Sequence, residues 1–402
     1  MNGRMTDVAI VGGGLAGGLI ALALHRAHPE WRLQLLERGA TLGGNHRWSW
    51  FSSDLSHEGE ALLEPFRQIR WDDGYDVAFP RRRRQLAAGY RSLASEDFDS
   101  GLKRLLPPEA IRLNAGVAEL DAAGVTLDGG ERVRARTVID CRNFSPSPHL
   151  LGGWQIFMGR HLKLGEAHGI ARPVIMDATV AQSAPAGNGG AYRFVYVLPL
   201  AAQEVFIEDT YYAEDPALDR SLLSSRLDRY AARHGWAEGL PVGHETGILP
   251  VITGGNFGAY LASIREPGVA VAGARGGFTH PLTSYTVPIA VENALAIAEQ
   301  GDLAGAQLAR FCEDRARAHW QRTGIYRALG RMLFKAAEPE RRVDIFERFY
   351  GLPEKLIERF YACHSTLPDR LRILTGKPPV SIPRAIRALA GKGQPLTMER
   401  MT

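Results

Sequence analysis

The first forty residues alternate apolar runs and polar breaks in a strand–helix–strand rhythm. Val8-Ala9-Ile10-Val11 is a short apolar run suited to a buried strand, residues 19–24 are an Ala/Leu segment of helical composition ending near His28-Pro29, and residues 33–36 read as a second strand. Residues 117–127 read as a strand pair, and Val138-Ile139, ending in Asp140, returns the chain to the first sheet. From about residue 152 the pattern changes. Strand-like stretches at 174–176 and 192–198 flank a turn-rich run at 183–190. Residues 205–212 follow the short Ala201-Ala202-Gln203-Glu204 connection, which predicts a hairpin. Val269-Ala270-Val271-Ala272-Gly273 reads as a closing strand of the first sheet, residues 289–298 have helical composition, and beyond residue 303 the chain reads helical and Arg-rich. There, Phe346, Phe349 and Tyr350 share one helical face, and Leu356, Ile357, Phe360 and Tyr361 share another; both suit either core packing or a bilayer surface.

Candidate chemistry begins at the first turn. Gly12-x-Gly14-x-x-Gly17 lies directly behind the first strand and opens the helix. The first glycine permits the sharp turn, the second lets backbone approach a pyrophosphate, and the third lets helix and strand pack closely. Leu15 and Ala16 then offer free N–H groups at the positive end of the helix dipole. Glu37, twenty residues beyond Gly17, is placed to accept hydrogen bonds from an adenosine ribose. Arg38 and the flexible Gly43-Gly44-Asn45-His46 turn follow, and Gly44 and Asn45 are placed to pass close to a nucleotide. Asp140 at the end of its strand, and Gly273, Arg275, Gly276 and Gly277 in a second glycine-rich turn, complete the candidate cofactor set.

Composition narrows the class. The chain has 402 residues, 45% of them hydrophobic and 23% charged, which is enough for two or three structural units around a large core. A net charge of +4 is too small for a dedicated nucleic-acid binder and suits loose contact with an anionic membrane surface. Cys141, Cys312 and Cys363 lie far apart without metal-ligand spacing, so a reducing compartment and no metal site are expected. No signal peptide and no run of about 20 apolar residues is recognised, so neither export nor a spanning helix is expected. The four-arginine run at 81–84 reads as a solvated face, a lipid headgroup contact or a cofactor phosphate contact.

Taken in order, several segments resemble the bacterial lycopene β-cyclase family over nearly the whole chain. They are Val11-Gly12-Gly13-Gly14-Leu15-Ala16-Gly17, Gly43-Gly44-Asn45-His46 with Trp48-Ser49, and Tyr192-Arg193-Phe194-Val195-Tyr196-Val197-Leu198-Pro199-Leu200. Phe206-Ile207-Glu208-Asp209-Thr210-Tyr211-Tyr212 is the most specific. Phe278-Thr279-His280-Pro281-Leu282-Thr283-Ser284-Tyr285 and Leu371-Arg372-Ile373-Leu374-Thr375-Gly376-Lys377-Pro378-Pro379 complete the series. One departure from flavin hydroxylases is Gly273-Ala274, where those enzymes usually carry Gly-Asp.

The resemblance implies an α/β fold: a Rossmann-like FAD-binding domain, an antiparallel-sheet substrate domain and C-terminal helices. The expected division is residues 1–85 with 110–150 and 268–302 for the discontinuous FAD domain, 151–267 with 86–109 for the substrate domain, and 303–402 for the helical region. It also implies FAD working in its reduced form with NAD(P)H as electron source. The substrates would be lycopene and γ-carotene, and the site cytoplasmic, at the surface of the inner membrane. The alternative is a flavin-dependent hydroxylase or dehydrogenase of a hydrophobic substrate.

Cyclising a hydrocarbon without redox change needs an acid, a base, a dry apolar site and negative charge near a carbocation. In an extended 205–212 segment, Phe206, Glu208, Thr210 and Tyr212 share one face and Ile207, Asp209 and Tyr211 the other. The neighbouring carboxylates therefore divide into a chemical and a structural one, and the resemblance selects Glu208 as the acid. Burial beside aromatics would keep it protonated near neutral pH. Asp209 and His280 are carried as further catalytic candidates, His280 as either a flavin or proton-traffic contact or a structural histidine. Trp48, Trp50, Phe194, Tyr196, Phe206 and Tyr211 are candidate lining residues whose ring faces would stabilise a cation.

Overall fold

The computed structural model of the protein describes residues 5–182, 192–300, 304–336, 341–375, 383, 384, 387, 388, 391 and 393–397. The turn expected at 183–190 and the Gly376-Lys377-Pro378-Pro379 stretch fall outside them. The first apolar run is strand Thr6–Val11, central in a seven-stranded sheet. It pairs in parallel with Leu33–Leu36 and with Arg132–Asp140. Ile111–Arg112 and Ala270–Val271 extend the parallel set at its two sides. Val117–Asp121 and Gly124–Leu127 are the expected strand pair, attached antiparallel to the start of Arg132–Asp140. Helix Leu15–Ala27 is buried almost all round, because the sheet covers one side and helices Ser95–Leu105 and Val287–Ala298 cover the other.

An eight-stranded sheet stands beside this layer. Its order is Leu240–Gly255, Ser147–Lys163, Glu204–Ala213, Arg193–Ala201, Val174–Asp177, Tyr75–Phe79, Arg82–Leu86, with Gln394–Leu396 added to Ser147–Lys163. The expected hairpin sets Tyr196 opposite Glu208 and Leu198 opposite Phe206. The long strands Ser147–Lys163 and Leu240–Gly255 were not expected from the pattern. Gly152, Gly153, Gly159, Pro241, Gly243, Gly247 and Pro250 break their apolar runs, and such residues disfavour strands in isolation. Pairing on both sides of Ser147–Lys163 overrides that local preference.

The boundary expected at residue 85 is not where the sheets divide. Tyr75–Phe79 and Arg82–Leu86 join the eight-stranded sheet, while helix Ser95–Leu105 packs under helix Leu15–Ala27 through Phe98 and Leu102. The short strand Arg47–Phe51, paired with Tyr90–Ala94, links the two layers. Trp50 enters the first core and its neighbour Phe51 the second, because alternate side chains leave a strand on opposite faces.

One face of the larger sheet is aromatic. It packs against helices Gly324–Lys335, Arg342–Phe349 and Glu354–Tyr361, so Tyr350, Ile357, Phe360 and Tyr361 are core residues. The other face carries Val195, Val197, Val205 and Ile207 under Leu227 and Tyr230 of helix Arg220–Arg233. The arginine run ties the sheet edge to the C-terminal helices. Arg81 pairs with Asp344 and Glu347 at 2.6 Å each, and Arg84 donates to the carbonyls of Tyr350 and Leu352. No helix of the described residues is long and apolar enough to cross a membrane.

Candidate active site

The first glycine turn has the geometry its spacing requires. Gly12 adopts φ +103°, outside the range of ordinary side chains. A Cβ on Gly17 would stand 2.0 Å from the Gly12 carbonyl oxygen, so helix and turn meet there without room for a methyl group. Around Gly14 the opposite holds, with no atom within 4 Å of a Cβ. Gly14 caps helix Leu15–Ala27 without any side-chain hydrogen bond, and the first turn carries no acid. The N–H groups of Leu15, Ala16 and Gly17 therefore meet an open space at the positive end of a thirteen-residue helix, which fits a pyrophosphate.

The surrounding candidates converge on this turn. Glu37 accepts hydrogen bonds from the backbone N–H of Gly13 at 2.8 Å and of Gly39 at 2.7 Å. Its neighbour Arg38 is exposed. Gly43 donates to the Gly13 carbonyl at 2.8 Å, which lays the Gly43-Gly44 turn over the first one, and Gly44 is left-handed at φ +68°. On the other side Gly273 abuts Ala16, with a notional Cβ 2.9 Å from the Ala16 methyl. Gly276 and Gly277 complete that turn. Asp140 is buried, held by Arg142 at 2.8 Å and Arg275 at 2.9 Å. With its oxygens occupied, Asp140 acts on the site by pinning the 273–276 turn rather than by offering a free oxygen to a ligand. Asn45 donates to the His244 carbonyl at 2.9 Å and so fastens the glycine turn to the larger sheet.

Glu208 stands on the aromatic face, as the period-two pattern requires. Phe194, Leu198, Phe206, Thr210 and Tyr212 on this face are buried, whereas Glu208 and Tyr196 keep uncovered surface, as does Tyr285 opposite. The Glu208 carboxylate oxygen accepts from the Thr210 hydroxyl at 2.8 Å. Burial, and then the nearby charge of Glu245, push the Glu208 carboxyl up to about 8, against the weaker opposing effect of Thr210. The hydroxyls of Tyr196, Tyr285 and Tyr90 run in a chain, 3.3 and 2.8 Å apart, and Ser49 bonds to the Tyr90 end. Burial raises all three phenols, so they remain neutral. A protonated carboxyl bordered by neutral phenols and aromatic rings can deliver a proton to an apolar ligand.

Glu245 is a site residue that the sequence reading missed. On Ser147–Lys163, Gly159 pairs with Glu208 on one side and with Glu245 on the other, so the three residues form one row across the sheet. Strand spacing puts the two carboxylate-bearing backbones about 10 Å apart, and the residue between them, Gly159, contributes no side chain of its own. The ring of Phe206 occupies the place a Gly159 side chain would take, 2.2 Å from a notional Cβ. Glu245 also accepts from the Arg47 N–H at 3.1 Å and meets the His46 ring at 3.2 Å. It thereby connects the Gly43-Gly44 turn to the Glu208 row.

Two expected catalytic residues do not face this space. Asp209 is fully buried on the opposite face, where Arg193 chelates it at 2.9 Å and Arg226 lies 3.9 Å away. Strand alternation put it there, and its partners hold the sheet to helix Arg220–Arg233. His280 is also buried, with its Nε2 on the Phe360 carbonyl at 3.1 Å and its Nδ1 taken by the N–H groups of Leu282 and Thr283. Burial pushes it down to about 3, so it is neutral, with both nitrogens engaged by backbone. It shapes the 280–283 turn. Among the lining candidates, Phe194, Tyr196 and Phe206 are on the Glu208 face, Trp48 stacks edge-on to Phe98 near helix Leu15–Ala27, Trp50 belongs to the core around that helix, and Tyr211 faces away to bond the Ala217 carbonyl.

Solved structures similar to this fold include a geranylgeranyl bacteriochlorophyll reductase-like protein of Thermoplasma acidophilum, with a TM-score of 0.60 at 15% identity over 96% of this chain and 99% of that one. A flavin-dependent halogenase from Xanthomonas campestris gives 0.57 at 11% identity over 96% and 94%. These likenesses place the architecture among Rossmann-like α/β proteins. In sequence, the chain is 44% identical to the lycopene beta-cyclase of Pseudescherichia vulneris over 96% of this chain and 97% of the relative. It is 40% identical to that of Pantoea ananas over 95% and 97%. The family model described as lycopene cyclase protein matches residues 7–387. On that extent of match, the chain belongs to the lycopene cyclase family.

Proposed function

We propose that the protein is a lycopene β-cyclase that closes the linear end groups of lycopene into β rings, passing through γ-carotene. The observation that carries this reading is the placement of Glu208: a carboxyl held protonated near neutral pH, on an aromatic face, coupled through Glu245 to the loop at the glycine turn. Glu208 donates its proton to a terminal alkene carbon. The adjacent tertiary carbon becomes cationic, the polyene attacks it, the ring closes, and loss of a ring proton leaves the β double bond. One proton enters and one leaves, and no electrons are exchanged. Phe194, Tyr196 and Phe206 present ring faces to the developing cation and exclude water.

The turns at Gly12–Gly17, Gly43–Gly44 and Gly273–Gly277 with Glu37 would hold FAD, the open space at Gly14 receiving its pyrophosphate. Held there in its reduced form, FAD would supply negative charge to stabilise a cation, worth several kcal/mol in a low-dielectric site. NAD(P)H is the electron source on this reading. Because lycopene is a hydrocarbon, the protein collects it while bound peripherally to a bilayer. No observation favours the alternative of a hydroxylase or dehydrogenase.

The direct test is anaerobic incubation with lycopene and either dithionite-reduced or oxidised FAD, followed by chromatography and mass measurement of the pigment. Cyclised product of unchanged mass with reduced FAD alone is expected. Equal conversion with oxidised FAD, or a gain of one oxygen, would refute the reading.

A pH profile tests the coupling to Glu245. The active form has Glu208 protonated, so turnover falls as pH rises through about 8. Glu245→Gln keeps an acceptor for the Arg47 N–H and removes the like charge. The alkaline limb of kcat then moves to lower pH, because a smaller opposing charge leaves Glu208 more acidic. A limb that stays in place means Glu245 does not act on Glu208.

A further inference from the structure

Four strands from Glu208, at the far edge of the larger sheet, a surface cavity of about 410 Å³ is lined by Arg81, Arg82, Arg348 and Arg372 together with Asp344 and Glu347. Both acids are engaged by Arg81. Among the described residues no carboxylate pairs with Arg82, Arg348 or Arg372, so the cavity carries surplus positive charge. Arg348 donates to the carbonyls of Ile373 and Thr375 and so clasps the end of helix Leu367–Leu374 against the cavity.

That helix is unlike the others. Six large apolar side chains are exposed among the described residues, and three of them, Leu367 at 68%, Leu371 at 56% and Leu374 at 50%, lie on this one element. Their i, i+4, i+7 spacing makes a single outward stripe. The helix is firmly built: Thr366 and Asp369 form a capping box, and Arg359 grips Asp369 at 2.7 and 2.6 Å, holding that carboxyl well below the usual range. Leu371 and Leu374 of the stripe fall in the Leu371-Arg372-Ile373-Leu374-Thr375 segment, where Ile373 turns inward to the core and the two leucines stay outside it.

We propose that helix Leu367–Leu374 and the arginine cavity beside it dock the protein on an anionic lipid bilayer, with the leucines entering the headgroup–acyl boundary and Arg82, Arg348 and Arg372 receiving a phosphodiester headgroup. A free phosphate would satisfy the guanidinium groups and leave the leucines in water. A lipid surface offers both chemistries at the adjoining positions the fold provides. This rests on the reading that the substrate is a hydrocarbon drawn from a membrane.

Vesicle sedimentation with and without phosphatidylglycerol, together with turnover of lycopene in vesicles and in detergent, tests it. The full-length protein should bind phosphatidylglycerol vesicles at low salt and leave them at high salt. Leu367→Ser/Leu371→Ser/Leu374→Ser should weaken binding at least about tenfold, and Arg82→Glu/Arg372→Glu should abolish the preference for anionic lipid. Because these side chains are outside the core, both variants should melt as the parent does and turn over detergent-dispersed lycopene at the parent rate while slowing on vesicles. Variants that bind like the parent overturn the proposal, as does a parent that converts detergent-dispersed lycopene yet binds no vesicle. Vesicle binding that needs these residues, without turnover in either medium, supports the docking surface and sinks the cyclase reading alone.

Discussion

Glu208→Gln yields a folded, flavin-binding protein that converts lycopene about 10²–10⁴-fold more slowly, the usual contribution of a positioned general acid. Glutamine has nearly the same shape and still accepts the Thr210 hydroxyl bond. Because Glu208 is already neutral at pH 7, the exchange removes no charge from the site, and the melting temperature should hardly change. What disappears is a proton that a hydrocarbon can take, since an amide is far too weak an acid to protonate an alkene. The measurement is single-turnover conversion of lycopene by the reduced variant, alongside flavin content and pigment binding. Normal turnover in a correctly folded variant would remove Glu208 from the mechanism.

Gly14→Asp should abolish flavin binding without harming the fold. Gly14 has extended backbone at φ −71°, and its Cβ direction is empty, so aspartate fits without strain. At the start of the helix it would cap free N–H groups and stabilise the protein by roughly a few tenths of a kcal/mol. The same carboxylate occupies the pyrophosphate position. Two like charges about 4 Å apart at an effective dielectric near 20 repel by about 4 kcal/mol, roughly a thousandfold in affinity. The purified variant should be colourless with an unchanged or slightly raised melting temperature of the apoprotein. A yellow variant with parental affinity would show that the pyrophosphate lies elsewhere.

Features that depend on local backbone or on two-residue alternation were legible in the sequence. The Gly12–Gly17 turn announces itself because at Gly12 and Gly17 only glycine meets the steric demands, and Glu208 could be separated from Asp209 because a strand permits no other division. Glu245 was invisible for a physical reason. Its strand contains Pro241, Gly243, Gly247 and Pro250, and its link to Glu208 passes through Gly159, a residue with no side chain to announce a site. His280 was open between a flavin or proton-traffic contact and a structural histidine, because the sequence does not show where its ring nitrogens go; here both are consumed by backbone. The hairpin at residues 75–86 fell on the wrong side of the expected boundary at 85 because its partner strand lies about a hundred residues downstream, and short strands take their sheet from such partners.

The shared row of Glu208 and Glu245, with the Phe206 ring laid over the glycine between them, has a consequence for how the proposed reaction would end. On the proposed mechanism, giving up its hydrogen ion would leave Glu208 an anion in a poorly solvated interior near the like charge of Glu245, an unfavourable state. Recapture of a proton would relieve it, and on the proposed mechanism the newly closed ring is the group with a proton to lose. The group proposed to start the cyclisation would thus also finish it, leaving the enzyme ready for the second end of the molecule without drawing on bulk water.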